Sequence, residues 1–428
     1  MRHTIWALIL LPCFVSPSWA QPQTVGSHTA RFASHHRTGN LFSKTNTQHG
    51  NLSVTAEAAA HQAQVWELGT YPGGTWASMG DVNDFGVAVA QGDVADGSTH
   101  NFAIPLFGRH AGEWIDLGTL GGTENGWDEG LVTISDTGLI VGHSASTDEN
   151  RPHGIAWTAM SGLADLGTLA DVGYSTYNSS YAAGVNKIGT LIVGWSGVGQ
   201  SCLGCAPTLP VVWTPSVVWK NGRAVVTWTI HKLDTSGFDV MTRWYAWAVN
   251  DFGQIVGEGS GDNGEFVGVI WTPLKNGTWK IKLLPAIPDY PNSEPFNIND
   301  RGEISGDIEP ADFSVWIPSF WKPLDPSRKT YSNPIVLPMP QGGYTNCYTD
   351  GINELGDLTG ECWNDDHSLD QAVRWTTKST TFSQVIGFPG DWSWSFRVNN
   401  NRIAVVTYGG DMCSADNYIS CGGAIQLH

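Results

Sequence analysis

Three observations predict an all-β fold built from seven similar units. Glycine and tryptophan are abundant, at 51 and 21 residues, while charged residues make up only 14% of the chain. No segment carries the sustained apolar period near 3.6 that a buried helix face requires. A short phrase then recurs seven times, at a spacing of roughly 50 residues, the length of one four-stranded unit.

The phrase begins with a β-branched residue, continues with Asn or Ser, and places Gly three positions later. It reads Val82-Asn83-Asp84-Phe85-Gly86, Ile134-Ser135-Asp136-Thr137-Gly138 and Val185-Asn186-Lys187-Ile188-Gly189. It continues as Val249-Asn250-Asp251-Phe252-Gly253, Ile298-Asn299-Asp300-Arg301-Gly302 and Ile352-Asn353-Glu354-Leu355-Gly356. The seventh copy, Val398-Asn399-Asn400-Asn401-Arg402, lacks the glycine. Subtracting successive Asn or Ser positions gives 52, 51, 64, 49, 54 and 46 residues. Asn starts a turn by bonding nearby backbone groups, and Gly supplies the positive φ that ends it. Apolar strands follow at once, as in Ile140-Val141-Gly142, Ile192-Val193-Gly194 and Ile255-Val256-Gly257. The phrase is therefore a tight hairpin with a glycine bulge.

Two more strands complete each unit. One precedes the hairpin, as in Trp66 to Thr70, Trp114 to Thr119 and Ala164 to Thr168. The other follows it and ends in Trp, at Trp157, Trp213, Trp271, Trp321 and Trp375. A large aromatic at one fixed strand position reads as packing between units. Seven four-stranded antiparallel units arranged in a ring make a seven-bladed β-propeller. Closure is expected through the ends. The strand at Trp66 to Thr70 should pair beside Ala424 to Leu427, leaving no open sheet edge.

The order Asp116 to Gly122, then Ile-x-Asp-x-Gly-x-Ile-Val-Gly, then His153-x-x-x-Trp157 resembles the HAF-repeat family of extracellular bacterial proteins. The likeness spans about residues 64 to 427 and is strongest in the second and third units. It implies secretion and a repeat architecture. It brings no catalytic residues.

Residues 1–20 read as an export signal. Arg2 and His3 are polar, Ile5 to Val15 is apolar, and Ser18-Trp19-Ala20 ends in a small residue, with cleavage after Ala20. The apolar stretch is shorter than the ~20 residues of a membrane span, and no other stretch could cross a membrane. Residues 21–60, rich in Ser, Thr, His, Asn and Gln, read as a flexible polar linker, and 61–428 as the propeller domain. Beyond Cys13, six cysteines form three close pairs: Cys202 with Cys205, Cys347 with Cys362, and Cys413 with Cys421. In an exported chain these read as disulfides. Zinc is the lesser reading of Cys202 and Cys205, since no second such pair exists. No metal site is assigned. The net charge of -18 excludes nucleic acid as a partner, which needs a basic surface.

In an antiparallel meander alternate connections emerge on the same side. The two longer loops of every unit therefore share one face, and the tight turns share the other. The loop face is the expected binding face. Its aromatic candidates are Trp76, Trp127, Trp244, Tyr344 and Trp392. Its acidic candidates are Asp148, Glu149, Asp262, Asp365 and Asp366. Aromatic faces beside carboxylates can stack on and hydrogen-bond sugars or hold a cation. Calcium is the one ion such loops would suit, although no calcium motif is present and no cofactor is expected.

The leading expectation is a secreted or cell-surface binding module, monomeric, with a carbohydrate or a surface protein as partner. A hydrolase or lyase at the mouth of the central channel is the alternative. His110, His153 and His367 with Asp128, Glu129 and Asp366 are its ingredients. A structural role in an envelope is the third. No catalytic motif favours an enzyme.

Overall fold

In the computed structural model, the described residues are 64–122, 131–147, 151–199, 207–220, 223–238, 241–261, 266–386, 392–410, 413 and 420–428. They form seven four-stranded antiparallel sheets, with no helix among them, arranged as a seven-bladed β-propeller. Blades are numbered here from the one that begins at Ala77. The strands next to the axis are Ala77–Val82, Thr133–Ile134, Ser180–Val185, Met241–Val249, Asn292–Ile298, Asn346–Ile352 and Trp392–Trp394, in blades 1 to 7. No helix among the described residues is long and apolar enough to cross a membrane.

The ring closes as the ends of the sequence predict. Val65–Gly69 is the outermost strand of blade 7, with Val65 opposite Ile425, Trp66 opposite Ala424 and Gly69 opposite Gly422. Near the axis, the Met79 N–H donates to Thr407 Oγ1 at 2.8 Å, joining blade 1 to blade 7.

Each turn phrase folds as its residues dictate. In blade 1, Asn83 N–H donates to the Val87 carbonyl, and Val87 N–H donates back to Asn83 Oδ1 at 2.9 Å. Gly86 and its five counterparts take positive φ, and in blade 7 Arg402 takes the same conformation at φ 60°. The Asn side chain then reaches the next blade. Asn250 donates to the Asn299 carbonyl, Asn299 to that of Asn353, Asn353 to that of Asn399, and Asn399 to that of Asn83. The repeated Asn thus stitches blade to blade as well as shaping its own turn.

The strand-ending tryptophans pack between blades. Trp213, Trp271, Trp321 and Trp375 are almost fully buried. Each indole donates to a carbonyl just after the outer strand of the preceding blade, at Leu166, Asp234, Pro285 and Pro338. The buried N–H is satisfied while the ring fills the inter-blade core. Two of the expected disulfides are present, Cys347–Cys362 and Cys413–Cys421. Cys202 and Cys205 lie outside the described residues.

A further feature positions the channel lining. The inner strands of blades 1, 3, 4, 5 and 6 each carry a β-bulge, with Gly80, Ala183, Trp247, Phe296 and Asp350 as the extra residues. The bulge pushes an inner-strand carbonyl onto the glycine of the Ile-Val-Gly position. A Cβ on Gly257 would strike the Tyr245 carbonyl, and one on Gly360 would strike that of Tyr348. The glycine after the two apolar residues is therefore required by the bulge, and the bulge re-aims the side chain it inserts.

Candidate functional site

The central channel brings functional groups together at both of its ends. The turn end holds a cavity of about 90 Å³ lined by residues of all seven blades. The residue after Asn or Ser in each phrase forms a ring at its rim: Asp84, Asp136, Lys187, Asp300 and Glu354 line the cavity, and Asp251 and Asn400 complete the ring through hydrogen bonds to Asp300 and Glu354. These side chains link neighbouring blades. Asp84 N–H donates to Asp136 Oδ1, Asp251 N–H to Asp300 Oδ1, Asp300 N–H to Glu354 Oε1, and Glu354 N–H to Asn400 Oδ1. Lys187 crosses the mouth, its Nζ 3.5 Å from Glu354 and 3.9 Å from Asp84. Burial pushes Asp136 and Asp251 above the usual carboxylate range, with neighbouring rim carboxylates adding to it and Lys187 opposing it. Deeper in, burial raises Asp81 to about 6, against the pull of Arg397.

Toward the loop end the channel is filled by an aromatic cluster. Trp195, Tyr245, Trp247, Phe296, Tyr348 and Trp363 are all buried in it. The rings run in sequence around blades 3 to 6. Trp195 meets Trp247 at 4.9 Å, Trp247 meets Phe296 at 6.4 Å, Phe296 meets Tyr348 at 6.0 Å, and Tyr348 meets Trp363 at 5.7 Å. Trp247 and Phe296 are bulge residues, so this run depends on the local strand irregularity.

Buried carboxyl groups accompany the rings. Glu258, Glu294, Asp307, Glu309 and Glu361 are all fully buried, and Asp350 nearly so. Ionised groups at such depth are rare in proteins, because burial strips their hydration. The Tyr348 hydroxyl donates to Glu361 Oε2 at 2.5 Å. Burial, reinforced by Asp370, holds Glu361 well above the usual carboxylate range. Burial and the nearby Glu361 likewise push Tyr348 up, keeping its hydroxyl a donor. In blade 5, Glu294, Asp307 and Glu309 place carboxylate oxygens within 4.8 Å of one another. These three residues could hold a metal ion, and an all-oxygen donor set suits calcium or magnesium better than zinc.

The residues singled out from the sequence fall differently. Trp244 is in the core between blades, edge-on to Trp271 and Phe238. Trp76 and Tyr344 are half-buried, Trp392 is half-buried and stacked on Trp394 at 4.8 Å, and Asp365 and Asp366 are exposed on the loop face. Asp365 accepts from Thr345 and Asn346, and Asp366 accepts from the Ser368 N–H. Trp127, Asp148, Glu149 and Asp262 lie outside the described residues, as do Asp128 and Glu129. The three histidines stay apart. His110 bonds Glu113 on the turn face, His153 bonds Asp165 at 2.8 Å, and His367 stacks on Trp363. Although burial works the other way, the His153 hydrogen bond leaves Asp165 below its ordinary range, as in a satisfied structural pair.

Both channel-end sets carry a signal in the sequence. The rim acids directly follow the turn Asn. The interior groups directly follow the Ile-Val-Gly glycine: His143, Trp195, Glu258, Asp307 and Glu361.

No family model and no curated protein matches this chain. Among solved structures, a Trypanosoma rangeli sialidase in complex with the inhibitor DANA is similar at 12% identity and a TM-score of 0.40, covering 83% of this chain and 55% of that one. Prolyl oligopeptidase B from Galerina marginata is similar at 8% identity and a TM-score of 0.46, covering 78% of this chain and 48% of that one. The β-propeller domain of the Trilobed protease from Pyrococcus furiosus is similar at 11% identity and a TM-score of 0.36, covering 73% of this chain and 98% of that one. This chain spans about half the length of the sialidase and the oligopeptidase. Likenesses this distant support no argument about activity.

Proposed function

We propose that this protein is an exported binding propeller that holds a carbohydrate at the loop end of its channel, over blades 4 to 6. One observation carries the reading. Three consecutive blades each contribute a buried aromatic ring and a buried carboxyl group there: Trp247 and Glu258, Phe296 and Asp307, and Tyr348 and Glu361, the last pair joined by a hydrogen bond. A sugar ring offers an apolar face for stacking and hydroxyls that need both donors and acceptors. The Tyr348 hydroxyl and the Glu361 carboxyl group, joined by a hydrogen bond, supply both. Calcium at Glu294, Asp307 and Glu309 would fix the adjoining wall. The export signal at residues 1–20, the two disulfides and the HAF-repeat resemblance support an extracellular setting.

The test is a broad glycan array probed with the full-length protein, with and without calcium. Binding of a defined glycan class is expected. Binding of none would overturn the carbohydrate reading.

A second reading has a specific observation behind it. Tyr348 donates to Glu361, and Asp370 lies within hydrogen-bond reach of the same carboxyl group, an arrangement with the ingredients of acid–base catalysis. Release of new reducing ends from a bound glycan, lost in Glu361→Gln, would favour a hydrolase over a binding module.

A further inference from the structure

Blade 3 differs from its neighbours in shape and in charge. Its two outer strands, Thr208–Lys220 and Arg223–Lys232, stay paired from Val211 opposite Lys232 out to Lys220 opposite Arg223. The second strand of the blade accompanies them only as far as Trp213. From there a two-stranded ribbon runs on past the turn face by roughly 20 Å, at about 3.3 Å per residue. None of the chain's 40 acidic residues falls between Asp171 and Asp234, where Lys187, Lys220, Arg223 and Lys232 all lie. A chain of net charge -18 thus gives its one projecting element a local positive charge.

The ribbon is also apolar on both sides. Cross-strand partners share a side, and sides alternate along each strand. Val217 lies opposite Val226, with Trp219 on the same side, and all three are more than half exposed, Trp219 by 75%. Val218 and Val225 pair on the other side and are half-buried. Next inward on that side, the Ser216 and Thr227 hydroxyls bond each other at 2.8 Å. A groove on a protein partner covers one side of such a ribbon, whereas a medium that surrounds its end covers both. Trp with β-branched residues, ending in a Lys–Arg pair, is the composition suited to a lipid–water interface. There Trp sits at headgroup level and basic residues meet lipid phosphates.

We propose that the blade 3 ribbon docks the protein on an anionic phospholipid surface, its end entering the headgroup region. Backbone chemistry sets the depth. Past Trp213 neither edge of the ribbon has a neighbouring strand among the described residues, and hydrocarbon would leave those N–H and C=O groups unsatisfied. Distance sets the electrostatics. The turn face behind the ribbon mixes the rim acids with Arg301, Lys322 and Arg328, and so selects no partner by sign. Those charges stand roughly 20 Å behind the tip. The Debye length at physiological salt is about 8 Å, so an approaching membrane meets Lys220 and Arg223 first. The proposal is independent of the carbohydrate reading, which concerns the other face of the ring.

The experiment uses the chain from Gln21 to His428. This keeps every described residue and leaves out Ile5 to Val15, an apolar stretch that could itself enter lipid. Binding is read by co-sedimentation with vesicles of phosphatidylcholine alone, or of phosphatidylcholine and phosphatidylglycerol in equal parts. Two variants address the ribbon, Val217→Ser with Trp219→Ser, and Lys220→Gln with Arg223→Gln. Met160→Ser, an exposed apolar site on the turn face outside the ribbon, is the control. Thermal midpoints equal to the wild type are expected in all three, since none of these positions is in the core. The wild type should bind the mixed vesicles and not the neutral ones, and binding should weaken as salt is raised. Each ribbon variant should lose about tenfold or more in affinity, and the control none. No binding to the mixed vesicles, or equal affinity in all variants, overturns the proposal. So does self-association in sedimentation velocity that Val217→Ser with Trp219→Ser abolishes without changing vesicle binding, which would assign the ribbon to a second copy.

Discussion

Lys187 of blade 3 lies 3.5 Å from Glu354 of blade 6, across the mouth of the channel. It is the one cation in a rim that otherwise carries five carboxylates and Asn400. A single lysine on the axis offsets repulsion that the repeat itself creates, because each acid is placed by the inter-blade bond it accepts. Lys187→Met should therefore destabilise the ring by about 1 kcal/mol at low salt, and less at high salt, where exposed charges are screened. Urea unfolding at two ionic strengths checks both parts.

The bulges make a second, sharper demand. Gly360→Ala places a methyl group against the Tyr348 carbonyl, in a strand pair that has no room to separate. A loss of about 1–3 kcal/mol is expected from the overpacking. Gly138→Ala, at a turn with open space around it but positive φ, should cost only about 1 kcal/mol. The two thermal midpoints, measured side by side, separate close approach from backbone conformation.

The Cys347–Cys362 bridge closes a loop of 15 residues across the first hairpin of blade 6, in the wall that carries Tyr348 and Glu361. Replacing both cysteines with alanine should remove about 3 kcal/mol of stability. Reducing the wild-type protein should cost more than this, because Cys413–Cys421 opens as well, and the smaller shift left on reducing the double variant reports that second bridge.

Asp81 gives a pH signature. Its pKa is near 6 in the folded chain and 3.8 without perturbation. The folded state therefore binds its proton more tightly. Stability from this group is present at low pH and is lost as pH rises between about 4 and 6. The loss is up to ~3 kcal/mol, at 1.36 kcal/mol per pKa unit. Asp81→Asn should flatten that part of the stability profile, which denaturant midpoints at pH 4 and pH 7 would reveal.

The repeat made the fold legible. The turn Asn, its Gly and the strand-ending Trp each impose one conformation or one packing role, and they recur in register. Even Arg402, which breaks the rule, takes the glycine conformation, because the other six turns and the Asn399 bond to blade 1 fix the geometry. The site was less legible. The long loops point to Trp244, which a bulged register turns into the core, and to residues such as Asp365 that satisfy their own loops. The interior groups Glu258, Asp307 and Glu361 sit inside regular strands. There a carboxyl reads as an outward-facing residue until the ring places that strand face against the channel. Only comparison of the same position across repeats, the residue after the Ile-Val-Gly glycine, separates them from surface acids.

The most direct test of the central claim is a titration of the full-length protein with its array-selected glycan, followed by tryptophan fluorescence. It would compare wild type, Tyr348→Phe, Glu361→Gln and, at the opposite channel end, Asp84→Asn. The account predicts a saturable spectral change from Trp247 and Trp363 in the wild type and in Asp84→Asn, with affinity reduced about tenfold in the other two. Equal affinity in all four proteins, or loss in Asp84→Asn alone, would contradict it.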